Sequence, residues 1–254
     1  MAIKVTIWNE YVHEKGDDKQ GAYIRQFYPQ GIHNALKEEL AADDLEIRAV
    51  SLDQPDQGLP DELLNDTDVL MWWGHCAHEK VDDGLVNRIQ RRIHNGMGLI
   101  VLHSGHYSKI FRKMLGTPCS LLWRDIAEKE RVWTVCPGHP IAKGVPASFA
   151  LPHTEMYGEP FDIPDDGKII FSSWYEGGNV FRSGVLFQRR NGKIFYFSPG
   201  HEMYPIYHDE NVVRILGNAI RFVAPTEYLP NPGSDAHKPE PLEPVTTENI
   251  LKLV

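Results

Sequence analysis

The order of apolar runs constrains this chain most. Ile3 to Trp8, Leu45 to Leu52, Asp68 to Trp73 and Gly98 to Leu102 are short and rich in branched or aromatic residues, as strands are. Between them lie helix-length segments. Gly21 to Ala42 spaces Ile24, Phe27, Ile32, Ala35, Leu36 and Leu40 at threes and fours, with an interruption predicted near Pro29, and Val81 to His94 is amphipathic and closes at Asn95-Gly96. Such alternation predicts βαβ units, because strands apolar on both faces need helices covering each side of a parallel sheet. A further helix is expected to begin near His106.

The texture changes after about Glu128. Arg131 to Cys136, Phe149 to Thr154, Ile169 to Trp174, Val180 to Arg190 and Gly192 to Ser198 are strand-like, with Asn191-Gly192 as a hairpin turn, and only Asn211 to Phe222 has helical spacing. The prediction is one α/β domain over residues 1–224, a mostly parallel sheet flanked by helices with a β-rich extension in its second half. Residues 225–254, with Pro225, Pro230, Pro232, Pro239, Pro241 and Pro244, lack periodicity and are expected to form an extended tail over a surface or a neighbouring subunit.

Composition removes several function classes. The formal charge of −9 with dispersed Lys and Arg argues against a nucleic-acid partner, and no run is long and apolar enough for a membrane span. Cys76, Cys119 and Cys136 are an odd number at wide spacings, which suits free thiols. With no export signal ahead of the first strand, the cytoplasm is the expected compartment. The 12 histidines are the unusual count, and their positions matter.

Ligands of an open parallel sheet bind beyond the carboxyl ends of its strands, where loops diverge and helix N-termini converge. The predicted strand ends carry the polar chemistry. The first ends in Trp8-Asn9-Glu10, the third in Trp73-Gly74-His75-Cys76-Ala77-His78, the fourth in His103-Ser104-Gly105-His106, and a late one in Pro199-Gly200-His201-Glu202. Strand alternation in His153-Thr154-Glu155-Met156-Tyr157 sends Glu155 and Tyr157 to one face. His75 and His78, spaced HxxH, could share a helical face, while Trp72 reads as core.

Strand, turn and helix around Ser104 imitate a nucleophile elbow, but Leu102 and His106 stand where GxSxG needs glycines, so Ser104 is expected to donate a hydrogen bond rather than attack. No GxxxxGK[ST] or GxGxxG follows any strand, so no nucleotide cofactor is expected.

Trp72-Trp73-Gly74-His75 with His78, Gly96 to His106, Glu155-Met156-Tyr157-Gly158-Glu159 and Pro199-Gly200-His201-Glu202 together resemble the ThuA-like, trehalose-utilisation proteins, from the first strand to about Val223. That resemblance implies a flavodoxin-like sheet similar to the class I glutamine amidotransferases. Those enzymes use a cysteine nucleophile in a glycine-flanked elbow; here His103-Ser104 occupies the position, which makes thioester chemistry unexpected. The resemblance also implies a role in catabolism of trehalose or related disaccharides, with keto-sugars made by a partner dehydrogenase as substrates.

The expected activity is therefore that of a sugar-modifying hydrolase, lyase or isomerase without a cysteine nucleophile. His103, Glu155, His201 and Glu202 are the expected catalytic residues, and Trp73, His75, Ser104, His106 and Tyr157 the expected sugar contacts. His103, Glu155 and His201 would hold one divalent metal, zinc by the chemistry of the donors, with Glu202 or a spare His moving the proton. The other class in view is a sugar-binding or regulatory protein with no turnover. A homo-oligomer is expected.

Overall fold

A computed structural model describes residues 2–228 and 240–243, so most of the proline-rich tail lies outside the described residues. The strands are β1 (Ile3–Asn9), β2 (Leu45–Ser51), β3 (Val69–Trp73), β4 (Gly98–Leu102), β5 (Leu122–Thr134), β6 (Ser148–Gly158), β7 (Lys168–Tyr175), β8 (Val180–Arg189) and β9 (Gly192–Phe197). The α-helices are α1 (Lys19–Ile24), α2 (Ile32–Glu39), α3 (Asp61–Asn65), α4 (Asp83–His94), α5 (Lys109–Leu115) and α6 (Glu210–Val223).

All nine strands join one sheet in the order β2-β1-β3-β4-β9-β8-β7-β5-β6. From β2 to β9 the pairing is parallel, and from β9 outward it is antiparallel. The parallel half has the strand order of flavodoxin-like sheets, whose direction of winding reverses between β1 and β3. The β-rich second half continues this sheet rather than forming a separate layer.

Alternation divides the core in two. Val69, Met71 and Trp73 of β3 face one cluster with Leu36, Ile215 and Leu216, whereas Leu70 and Trp72 face the other with Leu85, Ile89 and Phe111. Helices α2 and α6 thus cover one face and α4 and α5 the other, and β3 and β4, buried on both sides, carry no polar residue. Trp72 is core as expected: its ring stacks on Trp8 at 3.7 Å between centroids.

Several boundaries differ from the sequence prediction. The helical segment predicted over 21–42 is interrupted near Pro29 as expected, but the break is wide, across 25–31, where Pro29 cannot continue the hydrogen-bond ladder and Gly31 takes φ +85°. At β4 a single turn of 3-10 helix, His103–Tyr107, comes first, and α5 follows only after Ser108, whose side chain accepts from the Phe111 N–H at 3.3 Å. The β8–β9 turn is Arg190-Asn191; Gly192 already pairs with Arg189, and it must be glycine because a Cβ there would lie 2.2 Å from the Ile93 carbonyl oxygen. Strands β5 and β6 are longer than predicted; in β5 most of Leu122 to Lys129 faces solvent and shows no core-facing alternation that would mark it as a strand.

Candidate active site

Four parallel strands empty into one crevice. The carboxyl ends of β1, β3, β4 and β9 are neighbours in the sheet, so the polar loops that follow them converge. A crevice of about 370 Å³ is lined by His75, His78, Ser104, His106, Glu155 and Tyr157, with Tyr107, Ser120, Leu121 and Trp123 at its sides.

At the end of β4 the backbone makes a strained turn. His103 takes φ +46°, a left-handed conformation unusual for a residue with a side chain. A Cβ on Gly105 would lie 2.8 Å from Val101 Cγ1, so the turn packs tightly against β4 two residues later. The elbow therefore centres on His103, one residue before the position that the sequence comparison with GxSxG assigned to Ser104. Gly105 fills the second glycine place of that frame and Val101 stands at the first.

The imidazoles do meet: the His103 and His201 rings are 5.2 Å apart, and His75 is 5.3 Å from His201. His103 Nδ1–H donates to the Ser198 carbonyl at 2.8 Å, which turns Nε2 toward Glu155 Oε2 at 3.0 Å and the Tyr157 hydroxyl at 3.3 Å. Tyr157 stacks on the His103 ring at 4.7 Å and shares a hydrogen bond of 2.8 Å with Ser104 Oγ. The approach of His103 to Glu155 is of ion-pair length, yet the ring is not aligned on Oε2, and that buried oxygen has no hydrogen-bond donor. Proximity of charge, rather than a completed hydrogen bond, describes the pair.

His201 is wired in the opposite sense. The Met203 N–H donates to His201 Nδ1 at 3.1 Å, leaving the ring proton on Nε2, which is 3.9 Å from Glu155 Oε2. Burial lowers the His201 pKa to about 4, so the ring is neutral at pH 7. For Glu155, burial favours the neutral acid, but the surrounding His103, His201 and His75 outweigh it and lower the pKa, keeping a carboxylate in place.

Glu202 organises a second cluster. It is fully buried and takes His13 Nδ1 on one oxygen, while His75 Nδ1 lies 3.0 and 3.1 Å from its two oxygens. Burial opposes a charged His75, yet the Glu202 hydrogen bond and the charges of Glu202, Glu155 and Glu10 raise its pKa to about 9. His13 is raised by the Glu202 hydrogen bond against the cost of burial, and Glu202 is held well below the usual carboxylate range despite its own burial by the hydrogen bonds of His13 and His75. The His75 imidazolium and the His13 imidazole, drawn toward its charged form, share one carboxylate, which makes this an ion-pair cluster.

Two expected roles do not match their placement. Trp73 is 0% exposed and its indole N–H donates to the Gly200 carbonyl at 3.1 Å, so it braces the loop carrying His201 instead of meeting a ligand. Glu202 sits behind His75 and does not line the crevice, so it sets the charge of His75 instead of reaching a substrate. His75, Ser104, His106 and Tyr157, expected as sugar contacts, all line the crevice. His106 Nδ1–H donates to the Cys119 carbonyl at 2.7 Å, and burial lowers its pKa to about 4. His75 and His78 do not share a helix: His75 lies in a bend and His78 opens a short 3-10 turn.

Sequence reasoning missed His13, Trp123 and the anchoring role of Glu10. Glu10 is buried and accepts the backbone N–H groups of Cys76 and Ala77 at 2.8 and 2.9 Å, fixing the loop that presents His75. Its position at a strand end was the available signal. Nothing local marks His13, whose partner is 189 residues away. Cys76 Sγ donates to Glu10 at 3.3 Å, and burial followed by the Glu10 charge pushes its pKa up to about 12, so no reactive thiolate adjoins the site at neutral pH.

His103, Glu155 and His201 bring donor atoms within 4.8 Å of one another, close enough to share an ion. Two of the three suit that use: His103 turns its Nε2 into the cluster behind a carbonyl-fixed Nδ1–H, with only the long 3.3 Å contact of the Tyr157 hydroxyl on it, and Glu155 Oε2 lacks a donor. His201 does not, because an Nε2 ligand would have to shed its proton while Nδ1 still accepts from Met203.

The family model for trehalose utilisation, ThuA, matches residues 4–223. No curated protein matches the chain. Among solved structures, a ThuA-like protein of Bacteroides uniformis is 18% identical with a TM-score of 0.61, over 87% of this chain and 91% of that one. A cytoplasmic protein of Salmonella typhimurium is 16% identical with a TM-score of 0.61, over 88% and 100% of the two chains. A GMP synthase subunit from Thermoplasma acidophilum is 14% identical with a TM-score of 0.51, over 88% and 94%. These structures share the flavodoxin-like, amidotransferase-like fold, and no described helix is long and apolar enough to cross a membrane. With its family model spanning almost the whole sheet, the chain belongs to the ThuA, trehalose-utilisation family.

Proposed function

We propose that this protein is an enzyme of trehalose or related disaccharide catabolism that acts by acid–base chemistry on an unphosphorylated sugar or keto-sugar. The observation that carries this reading is Glu155 Oε2, a buried carboxylate oxygen at a crevice wall with no hydrogen-bond donor. An acceptor left unpaired in a buried site costs stability unless a ligand satisfies it. A sugar hydroxyl, or the acidic C–H beside a keto group, supplies that donor.

Glu155 removes the proton next to the keto carbon, and the electron pair of the C–H bond moves to the carbonyl oxygen as an enolate. His75, charged at neutral pH, and the Tyr157 hydroxyl face the same crevice and stabilise the developing oxygen charge. His103, in contact with Glu155, shares the abstracted proton. Returning the proton to the same carbon from the other side gives an epimer; expelling a glycosidic oxygen from the β carbon, with the abstracted proton passed to that leaving oxygen, gives a lyase product. No Lys or Arg lines the crevice, which supports a substrate without phosphate. A partner dehydrogenase supplies the keto-sugar in this scheme, and the cytoplasm is its place.

Incubation of the protein with 3-keto-trehalose in D2O, followed by proton NMR, tests the reading. Loss of the proton alpha to the ketone, with or without a new sugar, is expected. Saturable binding with no exchange and no new resonances would favour the non-catalytic sugar-binding alternative.

A second reading, one divalent ion on His103, Glu155 and His201, is favoured by the spacing of the donors. Such an ion, zinc by the character of the donors, would polarise a substrate carbonyl. It requires His201 to give up the Met203 hydrogen bond. We also propose a homo-oligomer: Trp133, Trp174 and Val180 are 47%, 39% and 57% exposed on the antiparallel half of the sheet, and sedimentation measures the outcome.

A further inference from the structure

Trp123 is 67% exposed, yet it stands over the crevice. In the β5–β6 ladder it pairs directly with Tyr157, and directly paired residues project from the same face of a sheet. Tyr157 is buried against His103 and Ser104, so its cross-strand neighbour occupies the rim above the same floor. The arm is braced at this level: Arg124 reaches Glu128 at 2.5 Å and Asn179 at 3.0 Å. Tyr107, 46% exposed, stands at another side, with the Arg112 guanidinium 4.4 Å over its ring.

Scattered exposed apolar residues need no explanation, but a large indole held over a polar crevice does. The face of an aromatic ring carries negative charge density and attracts polarised C–H groups, while the floor offers hydroxyl, carboxylate and imidazole partners. A pyranose has both surfaces, a flat C–H face and a belt of hydroxyls. A short acid would leave the indole unused, and a sugar phosphate would find no Lys or Arg in the lining to hold its phosphate.

We propose that Trp123 is the stacking platform for a pyranose ring of the substrate, so that the site selects an unphosphorylated glycoside whose outer ring lies on the indole. The inference rests on the sugar-acting reading above and narrows its substrate class.

Calorimetric titration of the full chain with trehalose tests it, with the wild type, Trp123→Ala and Trp123→Phe compared. Trp123→Ala should raise the Kd about tenfold and Trp123→Phe less than about threefold. Melting temperatures should stay together, because the side chain is two-thirds in water. Saturation-transfer NMR should mark the pyranose C–H protons in the wild type and lose that contrast in Trp123→Ala. Equal trehalose affinity in the wild type and Trp123→Ala would overturn the platform while leaving the sugar-acting reading intact. Failure of the wild type to bind either trehalose or 3-keto-trehalose would overturn both.

Discussion

His103 Nε2 lies 3.0 Å from Glu155 Oε2, while its Nδ1 donates to the Ser198 carbonyl at 2.8 Å. Because a carbonyl only accepts, Nδ1 holds the ring proton, and Nε2 is left facing the carboxylate, ready to take up a proton that Glu155 removes from a ligand. The turn that places His103 there is the strained one at φ +46°, so the backbone, rather than side-chain freedom, fixes the pair.

Glu155→Gln keeps the volume and removes the basic oxygen. Turnover of a keto-disaccharide should fall by roughly 10²- to 10⁴-fold, the usual contribution of a positioned proton-transfer group. The substrate affinity should change far less. A variant retaining more than half the wild-type rate would show that Glu155 does not transfer the proton.

His75 sets the alkaline limit. Its folded pKa, about 9, lies above the ordinary 6.5, so the ion pair with Glu202 contributes stability fully below about 6.5 and loses it as the pH rises through about 9. The rate should follow the same imidazolium. A profile of kcat/KM against pH should fall near 9, and Glu202→Gln should move that fall toward neutral pH. A profile flat to pH 10 would exclude a charged His75 from the reaction.

Glu130 is a separate probe of the β-rich half. It is fully buried between β6 and β7, accepts from Ser173 Oγ at 2.6 Å and Tyr175 at 3.2 Å, and leaves Oε2 without a partner. Burial raises its pKa to about 7 against those hydrogen bonds. A raised acid contributes most below its unfolded value near 4.5 and loses that contribution as the pH passes 7. Glu130→Gln should therefore match the wild type in thermal melts at pH 5 and exceed it at pH 8, by on the order of 2–3 kcal/mol. A difference independent of pH would mean that folding leaves the Glu130 pKa at its unfolded value.

Metal content separates the two readings of the His103 cluster. The tautomer that Met203 imposes on His201 leads us to expect well under one equivalent of zinc per chain by elemental analysis, and a rate unmoved by chelator. A full equivalent that His103→Ala abolishes would establish the metal reading.

Much of the fold was legible because β3 and β4 are apolar on both faces, and only a sheet between helix layers buries such strands. The strand ends pointed to His75, Ser104 and His106, since ligand sites of parallel sheets sit at those ends, and strand alternation pointed to Glu155 and Tyr157. The outer half of β5 was not legible. Its residues alternate against solvent, not core, and its partner strand rather than its own pattern makes it a strand.

Sequence by itself determined the layers, the crevice and the surplus of imidazoles around it, because these follow from hydrophobic periodicity and from which residues end each strand. Tertiary structure alone decided what each imidazole does. His103 and His201 are alike in the sequence, yet a carbonyl holds one ring's proton away from Glu155 while a backbone N–H leaves the other's facing it. His13, Glu202 and Trp73 likewise acquired their parts from contacts across most of the chain, which no local pattern encodes because the partners are set by folding.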